Sequence, residues 1–338
     1  MKKVDFIIAG QGMAGTFLSH ELLKSGRSVL VVDNLLKECA GLVGAGICNP
    51  ITGMRFVKTW KSDEIFPNLD TLYSPIETLL KRKFFFKKDI IRVLKSEEEA
   101  QIWRKKLLKN DYRSFADIST PLPEKYRNLL KTPYGSFFIR NSGWADMAAL
   151  ITGWRRFLKE KGLLLETELV LKDIELQPDG VVWNGTHARK LIFCGGWRDS
   201  TNPYFQYVEF QPTKGEVLTL FLKDFPEEFT ISSKFFLLPI GNGIFRGGAS
   251  NDWDNLDEIP TEFARQEILE GLQTFLKTDI EIIDHKAGIR PALKDRQPYY
   301  ELHPELPQLG IFNGLGAKGA SLAPYLAKEF AKNLLKTL

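Results

Sequence analysis

The hydrophobic pattern of this chain changes period within its first thirty-five residues. Residues 4–9 (VDFIIA) are an apolar run rich in β-branched and aromatic side chains, the pattern of a strand buried on both faces. Gly10-Gln11-Gly12-Met13-Ala14-Gly15 interrupts it. The period then lengthens to that of a helix, with Ala14, Phe17, Leu18 and Leu22 on one side, and Gly26 stands where a helix end calls for positive φ. Residues 29–32 predict a second buried strand, followed by Asp33 and Asn34.

Beyond this unit the pattern becomes mixed. Residues 39–56 (CAGLVGAGICNPITGMRF) are rich in small residues and suit a loop where backbone approaches a ligand closely. Residues 84–94 read as one strand, and 96–109 as a helix opened by a Ser96/Glu99 capping box. A short strand is predicted at 137–140 and an amphipathic helix at 146–161, stopped by Gly162. Strands follow at 163–176 and 181–183, split by Pro178-Asp179-Gly180. Residues 191–197 (LIFCGGW) are a buried strand ending in two glycines. Residues 216–222, 235–238 and 243–248 predict antiparallel strands, with Asn242-Gly243 as a hairpin signal. A helix at 262–276, strands at 280–284 and 309–312, a loop at 313–320 and a last helix from about Ser321 complete the chain.

Parallel α/β segments thus lie at the start, middle and end, with sheet-rich segments between them. This predicts an α/β chain of two interleaved parts. A Rossmann-like dinucleotide-binding domain with a parallel sheet takes residues 1–80, 140–200 and 285–338. An α+β substrate domain on a mostly antiparallel sheet takes 81–139 and 201–284.

The opening unit carries specific chemistry. Gly10 permits a tight turn, Gly12 lets the backbone approach a pyrophosphate, and Gly15 lets the helix pack on the strand. Free N–H groups and the positive end of the helix dipole then face the phosphates. Asp33 stands eighteen residues past Gly15, where a carboxylate bonds a ribose hydroxyl. This unit alone accommodates either FAD or NAD.

Composition narrows the class. The 338 residues are 43% hydrophobic and 26% charged, as in a soluble globular protein of about two domains. No apolar run approaches a membrane span, and the N-terminus lacks the features of a signal peptide, so a cytoplasmic location is expected. Cys39, Cys48 and Cys194 are isolated, without metal-ligand spacing. The net charge is only +4, but residues 81–109 hold eleven basic residues against four acidic ones. Such a stretch is either a nucleic-acid footprint or a solvated face, and charge runs usually only solvate a face.

Several segments, in order, resemble the D-amino-acid oxidase family of FAD-dependent oxidoreductases, in particular its glycine/sarcosine oxidase branch. GQGMAG with Asp33 is similar to the ADP-binding unit, and GAGICNPITGMRF to the small-residue loop beside the pyrophosphate and isoalloxazine. LIFCGGW, Pro212-Thr213-Lys214-Gly215-Glu216-Val217, Ala287-Gly288-Ile289-Arg290-Pro291 and GLGAKGASLAP are similar to later segments of the family. The resemblance implies non-covalent FAD rather than NAD. It assigns cofactor contacts to Gly10, Gly12, Met13, Ala14, Gly15, Asp33, Asn34, Gly44, Ala45, Gly46, Asn49, Val170, Cys194, Gly195, Gly196, Trp197, Gly316, Ala317, Lys318, Gly319 and Ala320.

It also implies a reaction: oxidation of the C–N bond of an amine or amino acid, whose carboxylate Arg290 holds with a bidentate fork. Lys318 and Arg55 become candidate neighbours of the flavin ring. One departure stands out. The strand around Lys234-Phe235-Phe236-Leu237-Leu238-Pro239 carries phenylalanine where the oxidases carry a tyrosine near the substrate. Two further readings remain. GLGAKGASLAP and GGASNDWDN are also similar to the flavin domain of the bifunctional tRNA wobble-uridine modification enzyme, which makes tRNA a possible partner, and a flavin-binding sensor without turnover shares the same motifs.

Overall fold

The structure is a computed structural model that describes residues 1–338 apart from 35–38, 54 and 108. Two eight-stranded sheets organise it. In the first, Leu164–Leu165, Val29–Val32, Lys2–Ala9, Thr186–Phe193 and Leu309–Asn313 run parallel in that order across the sheet. Antiparallel strands Glu175–Gln177, Gly180–Trp183 and Tyr299–Leu302 extend it. The central strands are buried on both faces, which accounts for their unbroken apolar sequences.

The helix Met13–Lys24 packs on this sheet and contacts the helices Gly319–Leu335 and Met147–Glu160. Its first eight residues are all buried. Ser19 and Thr16 are tied internally there: Trp154 Nε1 donates to Ser19 Oγ (2.9 Å), and Gln11 Nε2 donates to Thr16 Oγ1 (2.9 Å) and Ile151 O (3.0 Å). Asp146 caps Met147–Glu160 by accepting from Ala149 N (3.0 Å).

The second sheet runs Glu281–Arg290, Thr213–Phe221, Ile244–Gly248, Phe236–Gly241, Thr230–Ser232, Ile90–Val93, Ser136–Ile139 and Ala116–Asp117. All neighbours are antiparallel except Thr230–Ser232 with Ile90–Val93. Helix Glu262–Gln273 covers one face through Ile268 and Leu272, which pack with Leu218, Leu220 and Phe245. The combination is the parallel α/β plus antiparallel α+β architecture that the sequence predicts.

Local departures have physical causes. The single strand expected at 84–94 is two: Phe85–Lys87 pairs in a three-stranded sheet with Gly143–Ala145, while Ile90–Val93 enters the large antiparallel sheet. One apolar run serves two sheets. The stretch expected as a strand at 163–176 has only Leu164–Leu165 and the first residues of Glu175–Gln177 in sheet, with a 3₁₀ turn at Leu171–Asp173 between them. The expected division at residue 285 falls inside Glu281–Arg290, a strand of the antiparallel sheet.

Glu99 also has a larger role than helix capping. Ser96 Oγ accepts from Glu99 N (3.1 Å), but the carboxylate of Glu99 meets Arg92 Nη2 at 2.7 Å, with both side chains buried. Removing one partner of a buried pair strands the other charge. Glu99→Ala is therefore expected to lower the unfolding free energy by roughly 3–5 kcal/mol, read from chemical denaturation. Arg92→Met combined with Glu99→Leu should recover most of that loss. A Glu99→Ala loss below about 1 kcal/mol, the range of an exposed pair, would contradict the assignment.

Candidate functional site

The carboxyl ends of the parallel strands converge on one cavity of about 950 Å³. This is the crevice where open α/β sheets bind ligands. Ala9 leads into Gly10, Val32 into Asp33, Phe193 into Cys194, and Asn313 into the loop that opens the last helix. Gly12, Met13 and Ala14 line the cavity, and no side chain caps the first turn of their helix. The helix Gly319–Leu335 likewise begins at the cavity without a side-chain cap. Two uncapped helix starts place partial positive charge along the wall.

Glycine is required at specific places. Gly10 has φ +103°, and a Cβ there would lie 2.5 Å from Cys194 O. A Cβ at Gly15 would lie 1.9 Å from Gly10 O. Gly12 and Gly196 differ: nothing lies within 4 Å of the Cβ position, so a side chain there would project into open space.

Asp33 accepts from Gln11 N (2.8 Å) through Oδ2 and from Arg155 Nη1 (2.6 Å) through Oδ1. Arg155, from the helix Met147–Glu160, thus fixes the carboxylate at the cavity edge. On the other side, Asp199 is buried and accepts from Gly195 N (2.8 Å) and from Asn313 Nδ2 (2.8 Å). Asn313 Nδ2 also donates to Gly196 O (2.8 Å), so two rim loops are tied together. Burial pushes the Asp199 carboxyl up to about 7, against the two hydrogen bonds.

At the far end Arg290 closes the strand Glu281–Arg290 and lies against Gly215, where a Cβ would meet Nη2 at 1.8 Å. Nη1 donates to Asn251 Oδ1 (2.7 Å) and, at 3.5 Å, to Lys214 O; Nη2 donates to Ser250 O (2.9 Å). Among the described residues no carboxylate pairs with it. A guanidinium has five N–H donors. Among the described residues Nε–H has no acceptor, and Nη2 gives one of its two N–H groups to Ser250 O and keeps the other. Burial lowers Arg290 to about 10, so it stays cationic at neutral pH. Lys318 also lines the cavity without an ion-pair partner among the described residues, and burial with Arg296 nearby lowers its pKa.

Of the residues singled out in the sequence, Gly10, Gly12, Met13, Ala14, Asp33, Asn34, Gly44, Ala45, Gly46, Asn49, Cys194, Gly195, Gly196, Trp197, Arg290, Gly316, Ala317, Lys318, Gly319 and Ala320 line the cavity. Three do not. Gly15 lies beneath the turn and acts through packing. Val170 is exposed and does not line the cavity, while its neighbours Leu169 and Leu171 do. Arg55 is exposed in the turn between Ile51–Thr52 and Val57–Lys58 and is not brought to the site.

Sequence reading missed Gln11, Arg155, Asp199, Asn313, Thr230 and Ser232. Thr230 and Ser232 are two apart on one strand, the spacing that puts both on one face, and both line the cavity beside Phe236. The hydroxyl that the expected tyrosine would have supplied is missing from Phe236, but two hydroxyls stand on the neighbouring strand.

The cavity fits a long dinucleotide. Trp197 Nε1 and Asn202 Nδ2 are buried donors without an acceptor among the described residues, and both residues line it. With the open faces of Gly12 and Gly196, the uncapped helix starts and Asp33, these are the groups that would hold pyrophosphate and ribose.

Comparison with known proteins agrees with this geometry. The chain belongs to the FAD dependent oxidoreductase (DAO) family, which it matches over residues 5–333, and FAD is its cofactor. It is 23% identical over 380 residues to the tRNA 5-methylaminomethyl-2-thiouridine biosynthesis bifunctional protein MnmC of Legionella pneumophila (strain Corby), covering 97% of this chain and 54% of that protein. The chain therefore spans about half the length of the curated relatives it first matches. It is 27% identical over 154 residues to glycine oxidase of Bacillus subtilis (strain 168), covering 44% of this chain and 40% of that one. The fold is similar to the crystal structure of glycine oxidase from Geobacillus kaustophilus, with a TM-score of 0.83, 18% identity, and 100% and 95% of the two chains covered. It is also similar to iminodiacetate oxidase from Chelativorans sp. BNC1, with a TM-score of 0.82, 18% identity, and 98% and 95% covered. Among the described residues no helix is long and apolar enough to cross a membrane.

Two outcomes check the site. Gly12→Val, which fills the open face without a clash in the fold, is expected to weaken FAD binding at least about tenfold, or about 1.4 kcal/mol, while the melting temperature of the cofactor-free protein holds. Unchanged release of FAD fluorescence on dilution would contradict the assignment. Asp199 gives a pH signature. Its folded pKa is raised above the unfolded value near 4, so its stabilising effect is complete below about pH 4 and is lost as pH rises through about 7. Its contribution to the unfolding free energy of the cofactor-free protein falls by up to about 1.4 kcal/mol per pH unit across that window. Asp199→Asn should remove that part of the slope, and identical slopes in parent and variant would show Asp199 ionised in the folded protein.

Proposed function

We propose that this chain oxidises the C–N bond of an amine or amino acid whose carboxylate is held by Arg290. The observation that carries the reading is the Arg290 guanidinium itself: cationic, lining the cavity, and, among the described residues, without an acid partner and with its Nε–H and a second Nη2–H unused. Free guanidinium donors of this kind suit the oxygens of a carboxylate. Bound FAD supplies the hydride acceptor for the carbon next to the substrate nitrogen, and water then hydrolyses the imine product.

The chain binds and orients. Arg290 anchors the carboxylate; Phe236 and Val217 provide apolar wall; Thr230 and Ser232 offer hydroxyls to the substrate's polar groups. Lys318 and the uncapped start of Gly319–Leu335 hold positive charge at the wall, where it steadies charge that develops during oxidation. The likeness to glycine oxidase and iminodiacetate oxidase supports a carboxylate-bearing amine. We place the enzyme in the cytoplasm, in keeping with its unpaired cysteines Cys39, Cys48 and Cys194.

A second reading takes a tRNA side chain as substrate. It is supported by the alignment with MnmC over 97% of the chain. The basic stretch at 81–109 weighs against it, because at least five of its cations pair with the chain's own carboxylates: Arg82 with Asp146, Lys83 with Glu77, Lys87 with Asp70, Arg92 with Glu99 and Arg104 with Glu97.

The test is Arg290→Ala assayed with carboxylate-bearing amines and their decarboxylated counterparts. Loss of a desolvated charge partner should cost about 2–5 kcal/mol in carboxylate binding, at least roughly thirtyfold in KM, with little change for the amines that lack a carboxylate. Arg290→Lys should recover only part, since an ammonium has no planar fork. Equal KM values in parent and Arg290→Ala would overturn this role.

A further inference from the structure

One segment outside the FAD groove holds Arg290 in place. It runs from Ser250 to Thr261, between the strand Ile244–Gly248 and the helix Glu262–Gln273, and lies along the strand Thr213–Phe221. At its start Lys214 and Asp252 exchange two backbone hydrogen bonds (2.8 and 3.0 Å), and Ser250 Oγ accepts from Glu216 N (3.0 Å). At its end the buried Lys214 Nζ donates to Asp257 Oδ1 and to Ile259 O (both 2.6 Å). The carboxylate of buried Glu216 accepts from Thr261 N (2.8 Å) and Thr261 Oγ1 (2.9 Å). The segment is clipped at both ends to the same strand.

Within the first clip stands Asn251, whose Oδ1 accepts from Arg290 Nη1 at 2.7 Å, next to Ser250 O on Nη2. Both acceptors are neutral. Three other buried or half-buried cations meet carboxylates, Arg92 with Glu99, Arg155 with Asp33 and Lys214 with Asp257, whereas Arg246 and Lys190 meet backbone carbonyls. At Arg290 the partner is an amide that fixes the guanidinium without cancelling its charge.

We infer that Asn251 is a positioning residue that sets carboxylate affinity, by turning Arg290 through a neutral acceptor and leaving its Nε–H and its charge for the substrate. This rests on Arg290 as the carboxylate-binding residue. Asn251→Asp would supply an internal carboxylate that competes with the substrate. Asn251→Ala would free the guanidinium. Asp257→Asn would loosen the far clip, with no change at Arg290 itself.

The experiment titrates the FAD-loaded protein with acetate and glycolate, reading the visible flavin spectrum, in the parent, Arg290→Ala and the three variants. Asn251→Asp is expected to weaken both anions at least about tenfold, as an internal charge pair competes with them. Asn251→Ala should weaken them about threefold, at the low end of one ordinary net hydrogen bond, because Arg290 keeps its charge. Asp257→Asn should lie between parent and Asn251→Ala. FAD affinity and melting temperature should hold in the Asn251 variants, and with a carboxylate-bearing amine KM should rise while kcat is kept. Loss of binding in Arg290→Ala with parent-like titrations in Asn251→Asp and Asn251→Ala would overturn this inference alone. Parent-like binding in Arg290→Ala would overturn the Arg290 reading and this inference with it. If Asn251→Asp does not fold, Asn251→Ala decides by the same criterion.

Discussion

The architecture depends on one close approach, that of the helix Met13–Lys24 to the turn it leaves. A Cβ at Gly15 would sit 1.9 Å from Gly10 O, and one at Gly10 would sit 2.5 Å from Cys194 O. Only bare backbone fits at either place. Because it fits, the helix start, the turn after Lys2–Ala9 and the loop after Thr186–Phe193 close into one rim. Asp199 and Asn313 extend that rim to the loop before the last helix. The groups of this rim are therefore set by packing within the fold, and a site set in this way gains affinity without reorganising.

The antiparallel sheet adds the other half of the site. It carries Arg290 at the end of Glu281–Arg290, over Gly215, and brings Thr230, Ser232 and Phe236 to the same cavity. Arg246, on Ile244–Gly248, donates to Gly44 O (2.9 Å) in the small-residue loop, so the antiparallel sheet is tied to the cavity wall. A cation paired inside the fold contributes to structure. One aimed at a cavity with no acid partner is stable there only because a ligand supplies the charge or water still reaches it, which is why uncompensated cations mark functional sites.

The parts of the site legible in the sequence are those whose constraint is local. Gly10, Gly12, Gly15 and Asp33 follow from one strand–turn–helix–strand unit, and the 313–320 loop from its run of small residues. The parallel strands were legible because burial on both faces leaves an unbroken apolar run. Long-range partners were not: Arg155 reaches Asp33 across 122 positions and Asn313 reaches Asp199 across 114, and nothing in either neighbourhood announces the other. Val170 was misplaced because that stretch forms a turn, so its inward positions do not alternate. The run at 84–94 hid a change of sheet, since apolar burial reads alike in both. Asn251 gave no signal at all; an exposed asparagine in a loop gains meaning only from the guanidinium it touches.

The central claim is that a carboxylate at Arg290 presents a C–N bond to FAD. It is tested most directly by the visible spectrum of the FAD-loaded protein under anaerobic conditions, on addition of matched pairs of amines: N-substituted glycines and other amino acids, each beside its methyl ester. The account predicts that the flavin absorbance bleaches with the free acids and persists with the esters. Bleaching by acids and esters alike, or by neither while dithionite still reduces the flavin, would contradict it.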